Sequence, residues 1–193
     1  MVEESIAYLQ KCAENTKELR PWIELLLPFY IEAPASAYYH NAFAGGLLVH
    51  IVNVMKMIEK MYIEGIKTFS LEDALLAGWL HDVGKIGRIE SIENELVLVE
   101  PYYVFTNRWQ RNPKVPDHVE TGQYNLMAIQ KATGLSVSWD IWLAITFHCG
   151  AYNDNLKWPV KGNETGLMLF LHYCDMIASR FMEQNTNARA TGG

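Results

Sequence analysis

Cysteine is scarce in this chain. Cys12, Cys149 and Cys174 stand far apart and form no Cys-x-x-Cys pair, which argues against a thiolate zinc site. A sparse, odd count also argues against a secreted disulfide scaffold and fits free thiols in a reducing compartment. Long apolar runs are missing too, and none approaches the ~20 residues that a membrane span needs. The first residues, Met1-Val2-Glu3-Glu4-Ser5, are acidic and contain no basic segment leading into an apolar one, so no signal peptide is expected. Basic residues are in the minority, 16 Lys and Arg against 22 Asp and Glu, for a formal net charge of -6. An acidic balance repels polyanions and favours a small phosphorylated substrate over long nucleic acid. A cytoplasmic protein with no membrane partner is expected.

No repeat, low-complexity tract or linker divides the 193 residues, a length that suits one domain with a sizeable core. Residues 1–183 are expected to form that single domain. Residues 184–193 lack apolar periodicity and are expected to be a flexible tail.

The domain reads as mainly helical. One helix is expected over Glu3–Leu19, and a short one between Pro21 and Pro28. A third runs from Gly46 to Met61 with an apolar stripe of Leu48, Ile51, Val52, Met55, Ile58 and Met61. Ser70 caps a fourth, which carries Leu75, Leu76, Trp79 and Leu80 into His81-Asp82 before Gly84 and Gly87 end or bend it. Residues 89–106 are rich in β-branched and aromatic residues and predict a small β-ribbon or irregular excursion. Helices follow from near Asp117 to about Lys131, from Ser138 to about Phe147, and from near Asn163 or Glu164 to about Met182.

Polar, chemistry-bearing residues interrupt these apolar patterns. His50, His81, Asp82, His118, His148 and Asp175 each lie in or beside an apolar helical stretch. Imidazoles and carboxylates in such surroundings are costly unless paired or metal-bound. Six of them suggest one polynuclear centre. Imidazole suits Zn, Fe, Ni, Mn and Co, and a carboxylate can bridge two ions. Asp82, next to His81, suits the bridging role, and Gly78 and Gly84 allow other helices to approach. Two ions about 3.5–4 Å apart activate water and neutralise charge building on a phosphoryl group. Lys85, one turn after His81, is a candidate to stabilise that charge. Arg88, Arg108, Arg111 and Lys114 are candidate phosphate clamps, although Arg108-x-x-Arg111-x-x-Lys114 reads equally as a solvated face.

These motifs resemble the HD-domain superfamily of metal-dependent phosphohydrolases. The resemblance rests on Gly45-Gly46-Leu47-Leu48-Val49-His50, Leu80-His81-Asp82-Val83-Gly84-Lys85, Asp117-His118-Val119-Glu120-Thr121-Gly122, Phe147-His148-Cys149-Gly150 and Leu171-His172-Tyr173-Cys174-Asp175. It spans about residues 38–182. It implies an all-α HD-domain helical bundle, with His50, His81, Asp82 and Asp175 as the minimal ligand set. His118 and His148 look like the subset that binds two divalent ions (Mn, Fe, Ni, Co, Zn or Mg). The stretch from Tyr39-His40 to His50 looks most like the HD domains of bacterial 3′-to-5′ exoribonucleases. Those tend to show His-His-Gly where this chain has His148-Cys149-Gly150, and the Gly-Tyr-Pro signature of the cyclic-di-GMP branch is missing.

The resemblance implies a phosphohydrolase or phosphodiesterase acting on a nucleotide, a dinucleotide or a short oligonucleotide, with Asp82 and Lys85 in catalytic roles. The same four-His, two-Asp set also resembles HD-fold di-iron oxygenases, and a non-catalytic nucleotide-binding module is a third reading. His40 reads as a substrate contact or a surface residue, and His172 as a residue orienting a ligand or as packing. Tyr152, Trp158 and Trp109 could stack on a base or serve as core or rim aromatics.

Overall fold

A computed structural model describes residues 1–38, 40–63, 68–150 and 164–183. They are mostly helical, with two small antiparallel sheets. The helices are α1 (Val2–Asn15), α2 (Arg20–Tyr30), α3 (Gly46–Met61), α4 (Leu71–Leu80), α5 (His118–Thr133), α6 (Trp139–Phe147) and α7 (Gly166–Ile177). A 3₁₀ turn covers Val83–Ile86, and a π-helical turn, Ala178–Met182, extends α7.

Helix α3 lies at the centre and packs against α1, α4 and α7. Its Leu47, Leu48, Ile51, Val52, Met55 and Ile58 are fully buried, each worth roughly 1.5–3 kcal/mol of removed apolar surface. That total outweighs the roughly 1–3 kcal/mol cost of burying one imperfectly satisfied polar group, so the helix can carry His50 into the interior. Ser70 caps α4 through a reciprocal pair with Asp73, as its sequence predicts.

The clearest differences from expectation are at the ends of the first two helices. The first helix stops at Asn15, because Thr16 is extended and the chain turns to bury Leu19 completely at the start of α2. Pro28 does not end α2, which continues to Tyr30. Tertiary anchoring overrides the proline. The buried Tyr30 hydroxyl donates to the Trp79 carbonyl (2.9 Å), and the Trp79 indole N–H donates to the Trp22 carbonyl (3.1 Å).

The excursion expected over 89–106 is larger, running from residue 87 to 111. β1 (Gly87–Ile92) pairs with β2 (Glu95–Pro101), and β3 (Tyr103–Phe105) with β4 (Trp109–Arg111). Glu93 and Asn94 both have positive φ (51° and 66°), the backbone a two-residue hairpin turn requires. A register shift between Arg88 and Ile89 marks a bulge. Helix α5 covers β1 and the 3₁₀ turn. Asn125 of α5 makes that junction: its side-chain carbonyl accepts from Ile89 N–H (2.9 Å), and its amide donates to the carbonyls of Val83 (3.2 Å) and Gly87 (2.7 Å). At Gly84 a side chain would collide with the His118 carbonyl and the Gly122 amide, so the two backbones cross in direct contact. Among the described residues no helix is long and apolar enough to cross a membrane.

Candidate metal centre

All six histidines of the chain meet in one continuous series. The ring centroids of His40 and His50 lie 5.3 Å apart, His50 and His81 5.3 Å, His81 and His148 5.1 Å, and His148 and His118 5.5 Å. His172 joins through Nδ1, 2.6 Å from the His148 carbonyl. The residues come from α3, the ends of α4 and α6, the start of α5, α7 and the loop before α3.

Each of the four central imidazoles has its Nδ1 against an acceptor. His81 Nδ1 faces the Gly78 carbonyl (2.8 Å) and His148 Nδ1 the Ile145 carbonyl (2.7 Å). Both are helix C-caps, and both use a carbonyl three residues back that the helix leaves free. His50 Nδ1 faces the Glu183 carboxylate (3.1 Å to both oxygens), itself held by the Asn53 amide (3.0 Å). His118 Nδ1 lies 3.4 Å from Asp117, the residue that caps α5. With the proton held at Nδ1, each Nε2 lone pair points inward, the arrangement of a ligating histidine.

The inward atoms surround Asp82, which is 1% exposed. Its Oδ2 lies 3.4 Å from both His50 Nε2 and His81 Nε2, and 2.7 Å from Lys85 Nζ. Its Oδ1 lies 3.5 Å from His148 Nε2 and 3.7 Å from His118 Nε2. This oxygen accepts no hydrogen bond among the described residues. His50 Nε2 and His81 Nε2 stand 3.3 Å apart, and Asp175 Oδ1 lies 3.2 Å from the first and 4.0 Å from the second.

These spacings fit cations. Bond lengths to imidazole and carboxylate place neighbouring donors of a four-coordinate ion about 3.3–3.4 Å apart. Between neutral imidazoles, lone pairs facing one another at that separation repel; positive charge, whether a proton or a metal ion, resolves the conflict. Three groups among the described residues could hold a metal: His50, His81 and Asp175; His118, His148 and Cys149; and His40, His50 and Glu183.

Electrostatics in the metal-free chain follow the same geometry. Burial opposes ionisation of Asp82, but Lys85 and the imidazoles outweigh it and hold the carboxyl well below its usual range. Burial likewise opposes charge on His50, yet Glu183, Asp175 and Asp82 hold it well above the ordinary imidazole value. His148 is raised against its burial by Cys149 and Asp82, and His118 against its burial by Asp117 and Cys149. Burial pushes the Cys149 thiol up, but His148 and His118 pull it down to about 5. His40 falls to about 4 through burial and its neighbour His50.

The six residues expected as ligands, His50, His81, Asp82, His118, His148 and Asp175, are thus brought together. Lys85 is there too, tied to Asp82. His40, expected at substrate or at the surface, lies 3.8 Å from Glu183 and beside His50. His172 supports the His148 backbone, an orienting contact. Three of the four basic candidates have other partners. Arg88 pairs with Glu90 (2.8 Å), and exposed Arg108 lies 5.1 Å over the Tyr38 ring. Arg111 donates to the Tyr102 hydroxyl and the Val115 carbonyl. Lys114 is exposed, its backbone N–H on Asn112. Trp109 packs on Phe105. Tyr152 and Trp158 lie outside the described residues, as does the tail 184–193. Sequence reasoning missed Glu183 and Cys149. Only adjacency to His148 could have flagged the cysteine, and nothing periodic marks the glutamate.

Comparison of the chain with family models, curated proteins and solved structures finds no match.

Proposed function

We propose that the chain is a metal-dependent phosphohydrolase of the HD-domain type, holding two divalent ions and cleaving a phosphoester of a nucleotide, dinucleotide or short oligonucleotide. The observation that carries this reading is Asp82: one buried carboxylate turns one oxygen to His50 and His81 and the other, unpartnered, to His118 and His148. His50, His81, Asp82 and Asp175 would hold one ion, and His118, His148 and Asp82 the other. Bound there, divalent ions supply Lewis acidity, which lowers the pKa of water and neutralises charge on a phosphoryl group.

The chain's own residues do the rest. Carbonyls and carboxylates at each Nδ1 keep the imidazoles in one tautomer and orientation. Lys85, largely buried against Asp82, keeps that carboxylate ionised, and its remaining N–H donors are available to a phosphoryl oxygen. Hydrolysis breaks the phosphorus–oxygen ester bond, adds water's oxygen to phosphorus and delivers a proton to the departing alcohol. The negative surface favours small substrates.

The test is a screen of the purified full chain, loaded in turn with Mn²⁺, Fe²⁺, Co²⁺, Ni²⁺, Zn²⁺ and Mg²⁺, against bis-p-nitrophenyl phosphate, nucleotides, cyclic dinucleotides and short oligonucleotides. Metal-dependent ester cleavage is expected. Oxygen consumption by a coloured iron form, with no ester cleaved under any metal, would replace the hydrolase reading with an oxygenase one.

A further inference from the structure

We infer that Cys149 is a protein ligand in the second metal position, together with His118, His148 and the free oxygen of Asp82, and that this position therefore takes a borderline-soft ion such as Zn²⁺, Co²⁺ or Fe²⁺ in preference to Mg²⁺ or Ca²⁺. The inference rests on the metal-centre reading above and adds a donor and a metal class to it.

Three observations converge. The first is distance. Cys149 Sγ lies 3.3 Å from His148 Nε2 and 3.4 Å from His118 Nε2, and Asp82 Oδ1 lies 3.5 and 3.7 Å from the same two nitrogens. Metal–sulfur, metal–nitrogen and metal–oxygen bond lengths put neighbouring donors of a tetrahedral ion about 3.4–3.6 Å apart.

The second is the count of protons. With Nδ1 of His148 and His118 turned to acceptors, in the neutral rings that metal binding requires both Nε2 atoms are acceptors, as is Asp82 Oδ1, which is buried and unpartnered among the described residues. The thiol brings one proton for these three. A hydrogen-bonded neutral cysteine therefore satisfies at most one of them, whereas a cation bound by thiolate, two imidazoles and carboxylate satisfies all.

The third is a repeated device. Helix α4 ends with His81 as its cap, Nδ1 on the carbonyl three residues back, and the next residue, Asp82, turned into the cluster. Helix α6 ends the same way, with His148 as cap, Nδ1 on the Ile145 carbonyl, and Cys149 next. Cys149 occupies at the end of α6 the place Asp82 occupies at the end of α4. The segment is held from below, since the His172 ring packs under Gly150 and bonds the His148 carbonyl.

A thiolate changes which ion is held. Soft sulfur favours zinc and the later transition ions, while Mg²⁺ and Ca²⁺ want oxygen.

Cobalt reads this directly. Co²⁺ added to the metal-free full chain should produce a near-ultraviolet thiolate-to-cobalt charge-transfer absorption that saturates at one ion per chain. Cys149→Ser should abolish the band and weaken cobalt at that position by at least the roughly 10–100-fold that losing even an outer partner of a ligand costs. Cys149→His should restore occupancy without the band. A Cys12→Ser, Cys174→Ser double variant should keep it. Cobalt filling the wild-type centre with no thiolate band, or a band that survives Cys149→Ser, overturns the cysteine ligand and leaves the metal centre standing. A chain that binds no cobalt at all overturns both.

Discussion

The two halves of the cluster share imidazole and carboxylate groups but are anchored differently. Two of the first-half residues, His50 and Asp175, sit within the helices α3 and α7, and His81 caps α4. His50 and His81 are almost fully buried. In the second half every donor comes from a helix end: His118 opens α5, and His148 and Cys149 close α6. Exposure does not separate the halves, since His118 keeps 17% of its side chain exposed and Asp175 22%. A donor within a helix is fixed by two flanking turns of hydrogen bonds, whereas one at an end depends on its cap. The second half is therefore the more adaptable, and the first the more rigid. Asp82 belongs to both.

The change that erases the distinction has the largest effect. Asp82→Asn removes the charge both halves share and leaves Lys85 largely buried without a counter-charge. Turnover should fall by about a thousandfold or more, the size of losing several kcal/mol of charge stabilisation. Elemental analysis should show less metal in both positions; unchanged metal content would break the shared-carboxylate picture. Breaking the buried pair should also cost about 3–5 kcal/mol of stability by denaturant unfolding.

His118→Ala acts on one half alone. Metal content should drop from two ions per chain to one, with the His50 side still filled. Loss of both ions together would show that the halves are not separable. Glu183→Gln probes the other half more gently, since it keeps the shape at His50 Nδ1 and removes the charge. Metal affinity there should fall about 10–100-fold in a competitive chelator titration, with the second half unaffected.

The smallest effect is on metal-free stability. His50, His148 and His118 are raised in the folded chain. Their contribution is complete below the unfolded imidazole value of about 6.5 and is lost as pH rises through the folded values. The depressed Cys149 thiol pulls the other way between about 5 and its unfolded value, but it is one group against three. The metal-free chain should therefore melt at lower temperature at alkaline than at neutral pH, by about 2–4 °C per kcal/mol lost. Metal-loaded protein should be less sensitive, because ions replace the protons.

How much of this was legible in the sequence follows from how each residue signals. His50, His81, His148 and Asp175 stand out because each breaks an apolar helical pattern. The helix Gly46–Met61 was readable with close bounds, since a periodic stripe and a glycine start leave little choice. Glu183 was not legible, because it follows an irregular π turn and its partner, His50, lies 133 positions away. Asn125 looks like any helical asparagine until three backbone groups from another segment close on it. Cys149 reads alone as a free thiol, and only the folding of α5 against α6 brings His118 to it. Local pattern reveals which residues are out of place; it does not reveal what lies across from them.

The crossing at Gly84 has a consequence for the width of the centre. Main chain rests on main chain at that point, so the distance from the Asp82 turn to the first residue of α5 is gauged by peptide thickness, with no side-chain length to adjust. A single methyl at residue 84 would act as a shim. It would lever His118 away from its three co-donors while leaving His50, His81 and Asp175 undisturbed.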